Sequence, residues 1–139
     1  MTDIIVDASA LGSVFLRDED ESLGKLALAI WSERAVRAPA HWPVEVISIL
    51  VKAERSKRIS AATCEAAWPS ALALIKSCTV EADTSNDAVF ALARSTNLSA
   101  QDAAYVELAA RLKLPLLTGD RAMARAALSQ SVQLVHNPA

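Results

Sequence analysis

The chain has 139 residues, 53% hydrophobic and 22% charged, with few glycines and prolines. That is the size and composition of one folded domain with its own core, which excludes disorder, collagen-like repeats and low complexity. A formal net charge of -2 excludes global attraction to nucleic acid, so a polyanionic ligand would need a local basic patch or a bound cation.

No apolar run approaches the roughly 20 residues of a membrane span. The start "MTDIIVD" lacks the basic residues and long apolar stretch of a secretory signal. A cytoplasmic protein without membrane contact is the expectation. In chain order, "DIIVDA" is a short β-branched run of the kind buried on both faces of a parallel sheet. Ser9 reads as the N-cap of a short helix, "ALGSVFLRDED", that runs out into acids. Residues 22–34, "SLGKLALAIWSER", predict a second helix, whose "LALAIW" suits either the core or a groove for a partner helix. "AVRAP" predicts a weak strand ended by Pro39, and "WPVEVISILVKAERSKR", with Pro43 in its first turn, a strongly apolar helix.

A further helix is expected from Ser60 or Ala61 to about Ile75, followed by a strand in "SCTVEA". "TSNDAVFALARSTN" predicts a helix stopping near Asn97, which tolerates left-handed backbone. "SAQDAAYVELAARLK" starts afresh with Ser99 as N-cap and Asp102 three residues later, close to a capping box. "LPLLT", "DRAMARAAL" and "VQLVH" predict a strand, a helix and a final strand. The alternation predicts one α/β domain over the whole chain, with right-handed crossovers and a mainly parallel sheet of about four to five strands.

In such sheets ligands bind beyond the carboxyl ends of the strands. Four acids fall there: Asp7 ends the first strand, Glu45 and Asp102 lie in first helical turns, and Asp120 follows "LPLLT". Each alone has a local use, as a turn residue, a partner of a helix dipole or an N-cap. Together at one edge they would repel one another unless protonated or neutralised by cations. An all-oxygen set without His or Cys suits Mg²⁺ or Mn²⁺ rather than Zn²⁺.

The segments "IIVDASAL", "APAHWPVEVISILVKAERSKRI" and "LSAQDAAYVELAARLKLPLLTGD" together resemble the PIN domain, and within it the VapC-type toxins of bacterial and archaeal toxin–antitoxin pairs. The resemblance spans nearly the whole chain. It implies a three-layer α/β/α fold with Asp7, Glu45, Asp102 and Asp120 as the acidic quartet, and Ser9 and Thr118 as supporting hydroxyls. It also implies a Mg²⁺- or Mn²⁺-dependent endoribonuclease acting on RNA, a VapB-like antitoxin and a homodimer. Gln101, before the third acid, and Gly119, beside the fourth, depart mildly from the pattern.

For RNA or antitoxin contact the candidates are Lys52 and Arg55, with Lys57 and Arg58 nearby, and Arg121 and Arg125, four apart on one helix. Trp31, Trp42 and Trp68 lie in apolar helical contexts and read as core or interface residues. Cys64 and Cys78 read as buried, reduced thiols, and His41 and His136 fall in no nucleophile or zinc motif. The alternatives are a catalytically degenerate PIN-like domain that binds RNA or protein, and a receiver-type phosphoacceptor domain. The second would carry paired acids after its first strand, where "IIVDASA" has only Asp7.

Overall fold

The computed structural model describes residues 2–16 and 21–136. Among them β1 (Ile4–Val6), β2 (Val36–Pro39), β3 (Thr79–Glu81) and β4 (Leu116–Leu117) form an all-parallel sheet in the order β3-β2-β1-β4. Seven helices flank it among the described residues: α1 (Ala8–Phe15), α2 (Glu21–Glu33), α3 (Trp42–Arg55), α4 (Ala61–Ser77), α5 (Asn86–Thr96), α6 (Ala100–Leu112) and α7 (Arg121–Ser129). The architecture is the three-layer α/β/α arrangement expected from the sequence. None of the described helices is long and apolar enough to cross a membrane.

Strand periodicity divides β1 between the two outer layers. Ile4 and Val6 pack against Leu23, Ala27 and Ile30 of α2, whereas Ile5 packs into the cluster of Trp42 and Val46 from α3 and Tyr105 and Leu108 from α6. All three β1 side chains are fully buried, each contributing about 1.5–3 kcal/mol. A slip by one residue would exchange the two faces, so this burial fixes the register and with it the position of Asp7.

Several local expectations change. α1 begins at Ala8 with Asp7, not Ser9, in the N-cap position, because Asp7 is still extended where β1 ends. The helix closes at Phe15, with Leu16 extended, and the expected run through residues 17–20 lies outside the described residues. The final strand reduces to one parallel bridge between Leu116 and Leu134. Leu116 makes both backbone bonds of that pairing, to Gln133 and Val135, and Leu114, the preceding residue on the same side, gives its N–H to the Ala109 carbonyl at the end of α6 instead. Asn97 does close α5 in left-handed conformation, at φ 61°.

Trp42 is fully buried and stacks on Trp31 with ring centroids 5.7 Å apart, whereas Trp68 stands at the surface. Cys64 and Cys78 are free but only partly buried. α4 presents Ala71 alone fully to the core, which leaves Cys64 at the rim of that contact. "LALAIW" is divided: Ala27 and Ile30 face the core and Leu28 faces out.

α1 and α2 meet closely at Gly24, where an added Cβ would lie 2.4 Å from the Ser13 carbonyl oxygen. The clash is with backbone, so a side chain is accommodated only if the helices separate. Gly24→Ala is therefore expected to lower stability by about 1–3 kcal/mol despite alanine's better helix propensity, as read from urea unfolding at constant m-value.

Candidate active site

β1 delivers Asp7 to the carboxyl edge of the sheet in a nearly inaccessible position, 3% exposed. Two hydroxyls hold one of its oxygens: Ser9 Oγ donates to Oδ2 at 2.6 Å and Thr118 Oγ1 donates to the same atom at 2.8 Å. Burial pushes the Asp7 carboxyl up from its ordinary 3.8 to about 6; the two hydroxyls oppose this, and the charges of Asp102 and Glu45 add to it. Both supporting residues expected from the sequence thus bear on Asp7 itself.

Thr118 joins two acids. While donating to Asp7, its hydroxyl accepts the Asp120 backbone N–H at 3.0 Å. Asp120 in turn caps α7, its Oδ1 accepting the Met123 N–H at 2.9 Å. Asp102 sits one turn into α6, where its N–H bonds to the Ser99 hydroxyl at 3.1 Å. Desolvation, then the charges of Asp120 and Glu45, raise its carboxyl above the ordinary range, against opposing contributions from Ser99 and His41.

Glu45, in the first turn of α3, is braced from two sides. Tyr105 Oη donates to its Oε1 at 3.2 Å, and His41 Nε2 approaches the same oxygen at 2.6 Å. The His41 contact is short but poorly aligned as a hydrogen bond, and acts as an ion pair when the imidazole is protonated. The His41 and Tyr105 rings meet edge to face at 5.3 Å. Tyr105 is fully buried, and desolvation together with the Asp7 and Glu45 charges raises its hydroxyl so that it stays a proton donor.

The structure therefore brings all four acids into one electrostatic neighbourhood. A cavity of about 480 Å³ opens there, lined by His41, Glu45, Ser48, Lys52, Gln101 and Asp102 among others. Of the basic candidates, Lys52 reaches this lining, while Arg55, Arg121 and Arg125 stand exposed outside it. His41 and Tyr105 are the residues that sequence reasoning passed over. Helical spacing offered a signal for His41, which precedes Glu45 by four residues, whereas Tyr105 reaches Glu45 only through the contact of α6 with α3.

The model of the family described as "PIN domain" matches residues 4–128. The chain belongs to the PIN domain family. It is of the VapC type, being 33% identical over 123 residues to Ribonuclease VapC3 of two strains of Mycobacterium tuberculosis, with 88% of this chain and 86% of that protein covered. The PIN fold is also that of PAE2754 from Pyrobaculum aerophilum, at TM-score 0.74 and 24% identity over 96% of this chain and 84% of that one. FitAcB from Neisseria gonorrhoeae is more distant, at TM-score 0.61 and 13% identity over 96% of both chains.

Among the described residues of this PIN domain, no three His, Cys, Asp or Glu side chains close into a ready cation shell. The donor set nonetheless fits a hard dication: it is all oxygen, and Asp7 and Asp102 each have their proton affinity raised by burial first and by neighbouring acids in addition. One Asp120 oxygen is used by the cap and the other is available.

Asp7 yields a prediction whose sign is fixed. A carboxyl raised on folding binds its proton more tightly in the folded state, so the stability it contributes is full below pH 3.8 and is lost as pH rises to about 6. The loss is on the order of 3 kcal/mol. With EDTA present, Asp7→Asn should melt higher than the wild type at pH 7, and the advantage should vanish near pH 4, as measured by thermal unfolding across that range.

Proposed function

We propose that this PIN domain is a metal-dependent endoribonuclease of a toxin–antitoxin pair. The observation that carries the reading is the gathering of four carboxylates from three strand–helix junctions and α6 at one edge of the sheet, where each of Asp7 and Asp102 feels two other acids and Glu45 and Asp102 line a cavity. A scaffold that only binds has no reason to gather such charges. The likeness to Ribonuclease VapC3 supports RNA as the substrate class.

Asp7, Asp102 and Asp120 would hold Mg²⁺ or Mn²⁺, and Glu45 would complete the site. A bound dication supplies a lowered water pKa and relief of charge building on the phosphate oxygens. Glu45, fixed by Tyr105 and His41, is the carboxylate positioned to orient water and accept its proton. Water oxygen attacks phosphorus in line, the P–O3′ bond breaks, and the departing 3′ oxygen takes a proton. The products are a 5′-phosphate and a 3′-hydroxyl. Such an enzyme harms its own cell when unrestrained, which fits control by a VapB-like antitoxin; a homodimer is the assembly this reading expects.

The test is cleavage of a structured RNA pool with Mg²⁺ or Mn²⁺, against EDTA and against Asp102→Asn. Cutting should need the metal and fall by roughly 100-fold or more in the variant. Equal activity in both proteins would overturn the assignment, and inactivity in both with no metal bound by calorimetry would point to a non-catalytic binding domain. Tyr105→Phe, which frees Glu45 on one side, should lower cleavage by roughly 10-fold to 100-fold with the circular dichroism spectrum unchanged.

A further inference from the structure

The cavity beside the acids has more room than an ion and its waters need. At about 480 Å³ it lies within the range of roughly 300–1,000 Å³ that holds small organic ligands. One wall is a single face of α3, where Val44, Glu45, Ser48 and Ile49 are related by helical spacings of three and four. The other is the first turn of α6, with Gln101 next to Asp102.

Apart from the two acids, this lining offers apolar surface and neutral hydrogen-bonding groups. Val44 stands 64% exposed beside Ile49, so the fold leaves apolar surface uncovered at the cavity. Ser48 and Gln101 bring a hydroxyl and an amide, and among the described residues neither side chain is engaged elsewhere. For Ser48 this is a contrast within the chain: Ser32, Ser77, Ser95 and Ser129 each donate to the carbonyl three residues back. The Gln101 amide carries a donor and an acceptor side by side.

Charge does not select the occupant, since Lys52 is the only lysine or arginine among the described lining residues. Position and neutral chemistry do. An RNA strand with its scissile phosphate at the acids places a flanking nucleoside beside them. An apolar surface with a donor and an acceptor at its margin is what an unstacked base needs, for its ring face and its Watson–Crick edge. We propose that this cavity holds the nucleobase next to the scissile phosphate, packed on Val44 and Ile49, and that Gln101, helped by Ser48, reads its edge. This deepens the nuclease reading above and rests on it.

The test treats a randomised single-stranded RNA with the purified full chain and Mg²⁺ or Mn²⁺, and sequences the cut ends. The wild type should favour one base at one position flanking the cut, by roughly 10-fold over the poorest. Two oligonucleotides differing only at that base then give kcat/KM for each. Gln101→Leu should lower kcat/KM roughly 10-fold on the favoured RNA and leave the other unchanged, and Ser48→Ala should reduce the ratio by about threefold. A merely structural effect would lower both alike. Gln130→Leu, at the C-cap of α7, is the control and should keep the ratio.

A second readout needs no cleavage. In the Asp120→Asn protein, whose amide oxygen can still cap α7 and whose change lies outside the cavity lining, Gln101→Leu should erase the difference in affinity between the two oligonucleotides, read by anisotropy. Gln101 is exposed, and thermal unfolding checks that its variant folds; Ser48→Ala carries the test if it does not. A base preference that both variants leave intact in both assays, equal losses on the two RNAs, or a wild type that cuts without preference at either flanking position would overturn the base-reading role and leave the nuclease reading standing. A wild type that does not cut RNA with metal would remove both.

Discussion

The charge of Asp7, held out of water at the end of β1, is the constraint on which the site depends. Hydrophobic burial of Ile4, Ile5 and Val6 sets the strand register and so commits the next residue to the sheet's carboxyl edge. That position is costly for a carboxylate. Two hydroxyl donors lessen the cost without cancelling it, since the balance of burial, neighbouring acids and hydrogen bonds still favours the protonated form relative to water. A protein selected only for stability would place an apolar or amide side chain there. The excess negative charge is what a dication would neutralise, so the feature that weakens the fold is also the one that gives the site its chemistry.

Three of the four acids are tied into two short chains of polar contacts that cross the domain, and Asp102 is placed separately by the Ser99 cap of α6. One runs from Ser9 through Asp7 and Thr118 to the Asp120 amide, joining the ends of β1 and β4. The other runs from His41 through Glu45 to Tyr105, joining α3 to α6, and the Ala8 amide on the Tyr105 oxygen connects it back to α1. Asp7, Glu45 and Asp120 are therefore each oriented by a group from a different element or from the adjacent turn. This matters because separate flexible carboxylates would have to be ordered when a ligand arrives, whereas these are largely ordered by the fold.

The parts of this arrangement that were legible in the sequence are those with local causes. Asp7 and Asp120 follow apolar strand runs, Glu45 and Asp102 follow Pro43 and Ser99 into first helical turns, and the parallel sheet places all such positions at one edge. What stayed hidden depends on side-chain direction and on packing between distant segments. His41 has no place in a zinc or nucleophile motif, although its spacing puts it on the face of Glu45. Tyr105 reads as an ordinary core aromatic until the α3–α6 contact brings its hydroxyl to Glu45. The reduction of the fifth strand to a single bridge likewise depends on a neighbouring element: the Leu114 N–H, on the side that faces that segment, closes the end of α6 on the Ala109 carbonyl.

The aspartate that ends "LPLLTGD" shows that capping and ligand binding need not be alternatives. One Asp120 oxygen accepts the Met123 amide, which satisfies an orphan donor of α7 and places the charge at the positive end of the helix dipole. The same hydrogen bond fixes the side-chain rotamer, with the Thr118 hydroxyl holding the backbone amide behind it. The second oxygen is then restrained before any ligand reaches it, and its charge is already felt by Asp102. An N-cap that looks sufficient by itself is thus the means by which the fold positions an acid, and sequence spacing alone gives no way to tell the one use from the two combined.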